Sequence, residues 1–126
     1  MIPKELKDRT KRFAVDVIRL CCELPPTLDG RRLGQQLIDS GTSTAANYRA
    51  ACRARSRAEF IAKLGTVLEE ADESLFWLEL MIDANLVTRP RAERLLKEAD
   101  ELTAIFTTSA KTARGEGSRG DFRSRK

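Results

Sequence analysis

A chain of 126 residues, with 41% hydrophobic and 33% charged side chains, has the composition of one soluble globular domain. It contains no histidine, which excludes Ser-His and Cys-His relays, histidine-ligated zinc and the Glu-x-x-His di-iron sites of helical bundles. No apolar run nears the ~20 residues of a membrane span and the polar start lacks an h-region, so the expected location is the cytoplasm, with no membrane partner.

The net charge of +4 is unevenly spread: +5 over residues 1–55, −5 over 56–87, +1 over 88–112 and +3 over 113–126. Such segregation suits a basic face meeting an anionic partner, or complementary surfaces meeting between subunits. Cys21, Cys22 and Cys52 have no metal-like spacing. Adjacent cysteines on a helix point about 100° apart, so Cys21 and Cys22 are read as reduced thiols.

Helical periodicity recurs four times and strand signals are nearly absent. The first helix is predicted over about Lys4 to Leu24, with Leu6, Phe13, Val17, Leu20 and Leu24 on one side, and Pro25 and Pro26 stop it. The second spans about Asp29 to Arg55, with Leu33, Leu37, Gly41, Thr44, Tyr48 and Ala51 inward. Its run from Ser40 to Asn47 is poor in helix propensity but small enough for a close helix crossing.

A capping box, Ser56-Arg57-Ala58-Glu59, opens the third helix. Its expected core stripe is Phe60, Leu64, Leu68, Ala71, Leu75, Leu78 and Ile82. After a turn around Asn85 to Pro90, the fourth helix turns Ala92, Leu95, Ala99, Leu102 and Phe106 inward. From Ala113 onward, three glycines and few apolar residues read as a disordered basic tail. The expectation is thus an all-α, antiparallel up-down-up-down four-helix bundle over residues 1–112, with a tail over 113–126.

Two helices carry a second apolar face: Phe76, Trp77, Leu80 and Ala84 on the third, Val15, Ile18 and Cys22 on the first. A lone bundle cannot bury both sides of a helix, so these residues are expected to form the interfaces of a cyclic homo-oligomer.

The stretch Tyr48 to Phe60 concentrates Arg49, Arg53, Arg55 and Arg57. Arg31, Arg49 and Arg53 fall opposite Leu37 on the second helix, and Arg55 and Arg57 sit at the turn after it. These five are the candidate nucleic-acid-binding residues, helped by Lys4, Lys7, Lys11, Arg12 and the tail. The competing reading is a solvated face ion-paired to carboxylates such as Glu69 and Glu73. Tyr48 faces the core, so no stacking platform for bases is visible, and binding is expected to be electrostatic with little sequence preference.

The acidic run Glu69, Glu70, Asp72, Glu73 and Glu79 reads better as solvated or inter-subunit carboxylates than as a metal or acid/base site. Cys52 neighbours arginines that would favour its thiolate, but its position at the edge of the core stripe favours a buried, inert thiol. No catalytic residue, metal ligand or cofactor is expected.

The segment SGTSTAANYRAACRARSRAEFIAKLGTVLEEADESLFWLEL, Ser40 to Leu80, resembles bacterial four-helix bundle proteins encoded in intervening sequences of 23S ribosomal RNA genes. The shared elements are the small-residue segment Ser43 to Asn47, Arg55-Ser56, Glu59-Phe60, and Glu73-Ser74 through Trp77-Leu78-Glu79. Many relatives have Asn-Ile-Ala-Glu-Gly where this chain has Asn47-Tyr48-Arg49-Ala50-Ala51. The resemblance implies a homopentamer of bundles. It extends to accessory proteins of diversity-generating retroelements, basic pentamers that bind nucleic acid and a reverse transcriptase. The expected function is therefore non-enzymatic RNA or DNA binding by a homo-oligomer, the alternative a protein-interaction scaffold or reverse-transcriptase accessory subunit.

Overall fold

The computed structural model describes residues 1–115. Among them four α-helices and no strand are present: α1 Pro3–Cys21, α2 Leu28–Cys52, α3 Arg57–Asp83 and α4 Arg89–Ala113. α1 packs on α2 and α4, and α3 on α2 and α4, so α1 and α3 lie diagonally across a four-helix bundle with no close backbone approach between them. α4 runs one residue into the expected tail, and the remainder of that segment beyond Gly115 lies outside the described residues.

Helix ends follow local chemistry. Thr27, Ser56 and Thr88 are extended N-caps whose hydroxyls accept from the amides of Gly30, Glu59 and Arg91. The reciprocal arm of the capping box is shifted: Glu59 Oε1 accepts from the Arg55 amide at 2.7 Å, not from Ser56. α1 ends three residues before the expected Leu24, because Pro25 disfavours helical geometry in the residue before it. α2 likewise ends at Cys52 rather than Arg55, since Ser56 must be extended (φ −150°) to cap α3. Asn85, at φ 60°, closes α3 in the left-handed conformation, and the Leu86 amide returns to Met81 O at 2.9 Å.

The core contains the expected Phe13, Val17, Leu20, Leu37, Tyr48, Leu102 and Phe106. On α3 the buried stripe is Leu64, Val67, Ala71, Ser74, Leu78 and Met81, whereas Phe60, Leu68, Leu75 and Ile82 are only half-buried. The expected stripe was rotated because α3 is apolar around most of its circumference and periodicity alone does not locate its centre. Burial of Ser74 is possible because its hydroxyl donates to Ser40 Oγ at 2.8 Å, within reach also of Glu70 O. Leu24 and Leu33 are half-buried at the ends of their stripes.

Small residues bring α2 close to its neighbours. A Cβ on Gly41 would sit 3.1 Å from the methyl groups of Val17, and one on Gly30 would lie 2.1 Å from the carbonyl oxygen of Pro25. Gly30→Ala should therefore destabilise the fold by about 1–3 kcal/mol through forced backbone displacement. Gly65 sits mid-helix with nothing within 4 Å of an added Cβ. Gly65→Ala should raise stability by about 0.5–1 kcal/mol through helix propensity. Urea denaturation of both variants measures the opposite signs.

Candidate nucleic-acid interface

α2 lies beside α1, and its outer side carries Arg49 and Arg53 one turn apart near the helix C-terminus, where cations are favoured by the helix dipole. The facing turns of α1 carry Lys7 and Lys11. These four cations line one groove of about 550 Å³, floored by Thr42, Ala45 and Ala46. Among the described residues none of the four has a carboxylate within ion-pair distance. Asp8 also lines the groove, but Lys4 Nζ binds its carboxylate at 3.0 Å, and this hydrogen bond lowers its pKa.

The sequence candidates do not all converge. Arg31 shares the helical angle of Arg49 but lies 18 residues away, about 27 Å along α2 at 1.5 Å per residue. Its guanidinium donates to Pro26 O at 2.7 Å, beside the α1–α2 turn. Arg55 is exposed at the turn into α3, and the Arg57 guanidinium donates to the Ala113 carbonyl at the end of α4. The alternative pairing of α2 arginines with Glu69 or Glu73 does not occur within the chain's described residues.

Other cations are consumed inside the bundle. Arg9 binds Glu98 (2.6 and 2.7 Å) and Glu101 (2.5 Å), and these hydrogen bonds, Glu98 foremost, raise its pKa. Arg94 meets Asp16 at 3.0 Å and Arg91 meets Glu23 at 2.5 Å, so partners on α4 step backward as those on α1 step forward. Sequence reasoning missed these pairs, whose members lie 68 to 92 residues apart.

Cys52 is exposed, not buried, and stands as the last residue of α2. Cys22 is exposed too, whereas burial pushes the half-buried Cys21 thiol up to about 12. Asn47 is half-buried and its side chain donates to Ser43 O at 2.9 Å, within α2. Of the second apolar faces, Val15 (40%), Ile18 (41%) and Phe76 (52%) are the most open large side chains. Ala84 is exposed and Leu80 half-buried. Trp77 packs partly against the core, donates Nε1 to Glu73 at 3.3 Å and meets Phe76 edge-on at 5.1 Å.

Architecture and site together define an all-α four-helix bundle with a basic groove between its first two helices. No described helix is long and apolar enough to cross a membrane, and no three described Cys, Asp or Glu side chains converge to hold a metal ion.

The chain belongs to the 23S rRNA-intervening sequence protein family, whose model matches residues 5–108. Among solved structures it is similar to a protein of unknown function from the S23 ribosomal protein family of Bacteroides thetaiotaomicron. The two share 35% identity and a TM-score of 0.74, over 83% of this chain and 97% of that one. No curated protein matches.

Glu70 is the carboxylate held least favourably. Burial, followed by repulsion from Glu73, Glu69 and Asp39, raises its pKa. Its ionised form therefore costs stability once the pH exceeds the unfolded carboxylate range, and the cost fades as pH falls through that range. Glu70→Gln should raise Tm at neutral pH, with the gain shrinking toward acid pH in scanning calorimetry.

Proposed function

We propose that this chain is a non-enzymatic, cytoplasmic bundle that assembles into a cyclic homo-oligomer, a pentamer as the family likeness implies, and binds RNA or DNA through phosphate contacts. Its helices run up-down-up-down, a reading supported by the reversed order of the α1–α4 ion pairs and by short connections. The observation that carries the binding proposal is the groove where Lys7, Lys11, Arg49 and Arg53 converge without carboxylate partners. Guanidinium and ammonium groups so placed neutralise phosphates and release counterions, while Ala45 and Ala46 of the floor have no base-reading donor and the Thr42 hydroxyl donates to Ile38 O. Repetition of the groove around a ring adds avidity in place of sequence readout. A role as accessory subunit to a reverse transcriptase would use the same assembly, with the protein partner taking the groove instead.

Fluorescence anisotropy with labelled RNA and DNA oligonucleotides tests the proposal. Affinity should fall steeply with salt. Replacing Arg49 and Arg53 together by alanine should weaken binding by roughly tenfold or more at low salt and reduce the log–log salt slope by about 2. Arg31→Ala, at the other end of α2, should leave both nearly unchanged. Salt-independent binding, or none at low ionic strength, would sink the nucleic-acid reading and leave the protein-partner role.

A further inference from the structure

The exposed faces of α1 and α3 differ in sign around similar apolar centres. On α1 and at its C-cap, Val15, Ile18 and Cys22 are exposed, bordered by Lys11, Arg12 and Arg19, while Asp8 and Asp16 on the same surface are paired with Lys4 and Arg94. On α3, Phe76 and Leu80 are bordered by Asp72, Glu73, Glu79 and Asp83. Among the described residues none of the seven bordering charges, three on α1 and four on α3, has an ion-pair partner. On each helix the charges neighbour the apolar centre: on α3 the carboxylates lie three or four residues from Phe76 or Leu80, and on α1 Arg12 and Arg19 lie three and four from Val15.

We infer that the basic-rimmed face of α1 docks on the acid-rimmed face of α3 of a second copy of this chain. The inference rests on the homo-oligomer reading and names its seam and polarity. Two α1 faces or two α3 faces brought together would oppose like charges, so a two-fold contact through either face is disfavoured. Because α1 and α3 lie diagonally in the bundle, each copy offers one face of each sign on different sides. The contact is therefore head-to-tail, and its repetition closes a ring when the rotation permits.

A functional consequence follows. The α3 face, with Asp72, Glu73, Glu79 and Asp83, would repel a polyanion, whereas docking covers it. The seam takes in the α3 carboxylates together with Lys11, Arg12 and Arg19 of the facing copy, while Lys7, Arg49 and Arg53 stay on the outer surface of the assembly.

Light scattering on reversed-charge variants tests the seam. Wild-type protein should contain several copies. Arg12→Glu with Arg19→Glu, and separately Glu79→Lys with Asp83→Lys, should each run as single copies with unchanged helical circular dichroism. One chain carrying all four changes restores complementarity and should reassemble. A wild-type protein that is a single copy overturns the oligomer reading and the seam with it. A multi-copy wild type whose two reversed variants stay assembled overturns the seam alone, as does failure of the four-fold variant to reassemble. A readout independent of variants is alkylation: in assembled wild-type protein Cys22 should react much more slowly than the exposed Cys52. Equal rates would place Cys22 outside any seam.

Discussion

The close approach of α2 to both of its neighbours is the constraint on which the rest of the bundle depends. Val17 of α1 sits against Gly41, and on the α3 side Ser40 meets Ser74 through a buried hydroxyl–hydroxyl bond of 2.8 Å. Small residues in α2 lose apolar area that larger ones would bury, and they lower helix propensity. What they gain is proximity, which lets the larger side chains of α1 and α3 fill the space between axes. The serine pair is satisfied on both sides: Ser40 also donates to Leu37 O, and Ser74 reaches Glu70 O. Removing one partner alone would lose the inter-helix bond but leave the other hydroxyl its own backbone acceptor, Leu37 O or Glu70 O.

That proximity also creates the groove. With alanine and threonine at positions 42, 45 and 46, α2 presents a shallow floor, and the longer cations of α1 and α2 rise on either side of it. Bulkier residues there would fill the groove and push Lys7 and Lys11 away from Arg49 and Arg53. Packing and candidate site are thus two faces of the same helix segment: the inner side of Ser40 to Tyr48 carries the crossing and the outer side carries the floor.

Much of the fold was legible because it is local. Caps, proline stops and the one-sided stripes of α1 and α4 are written within a few residues of where they act, as Ser56 and Pro25 illustrate. α3 was less legible because its apolar residues spread over more than one side and leave no preferred centre, so its true core line through Val67, Ser74 and Met81 depends on the partner helix. Helical angle grouped Arg31 with Arg49 and Arg53, but angle ignores distance along the axis, and the groove joins only residues at one end of α2. Lys7 and Lys11 could be named as basic but not placed opposite those arginines, since that depends on how α1 and α2 cross. The Arg9, Arg94 and Arg91 pairs had no local trace at all.

These cross-helix pairs sharpen the meaning of the charges left unpaired. Along the α1–α4 seam each bridging arginine finds a carboxylate, so the chain places opposite charges together where its own helices meet. On the α1–α2 groove and the outer faces of α1 and α3 one sign instead predominates, although Asp8 lines the groove and pairs with Lys4. Exposed ion pairs contribute only about 0–1 kcal/mol each, so stability alone exerts little pressure to pair them. Yet clustering like charges carries a repulsive cost that an interspersed surface would avoid. A surface that keeps Asp72, Glu73, Glu79 and Asp83 on the outer side of α3 and four cations in one groove therefore sustains a cost that folding does not require. The proposed phosphate contacts and the proposed α1–α3 seam would each offset that cost by bringing opposite charge to one cluster. Lys11, which borders both the groove and the α1 face, is the point at which those two encounters would compete.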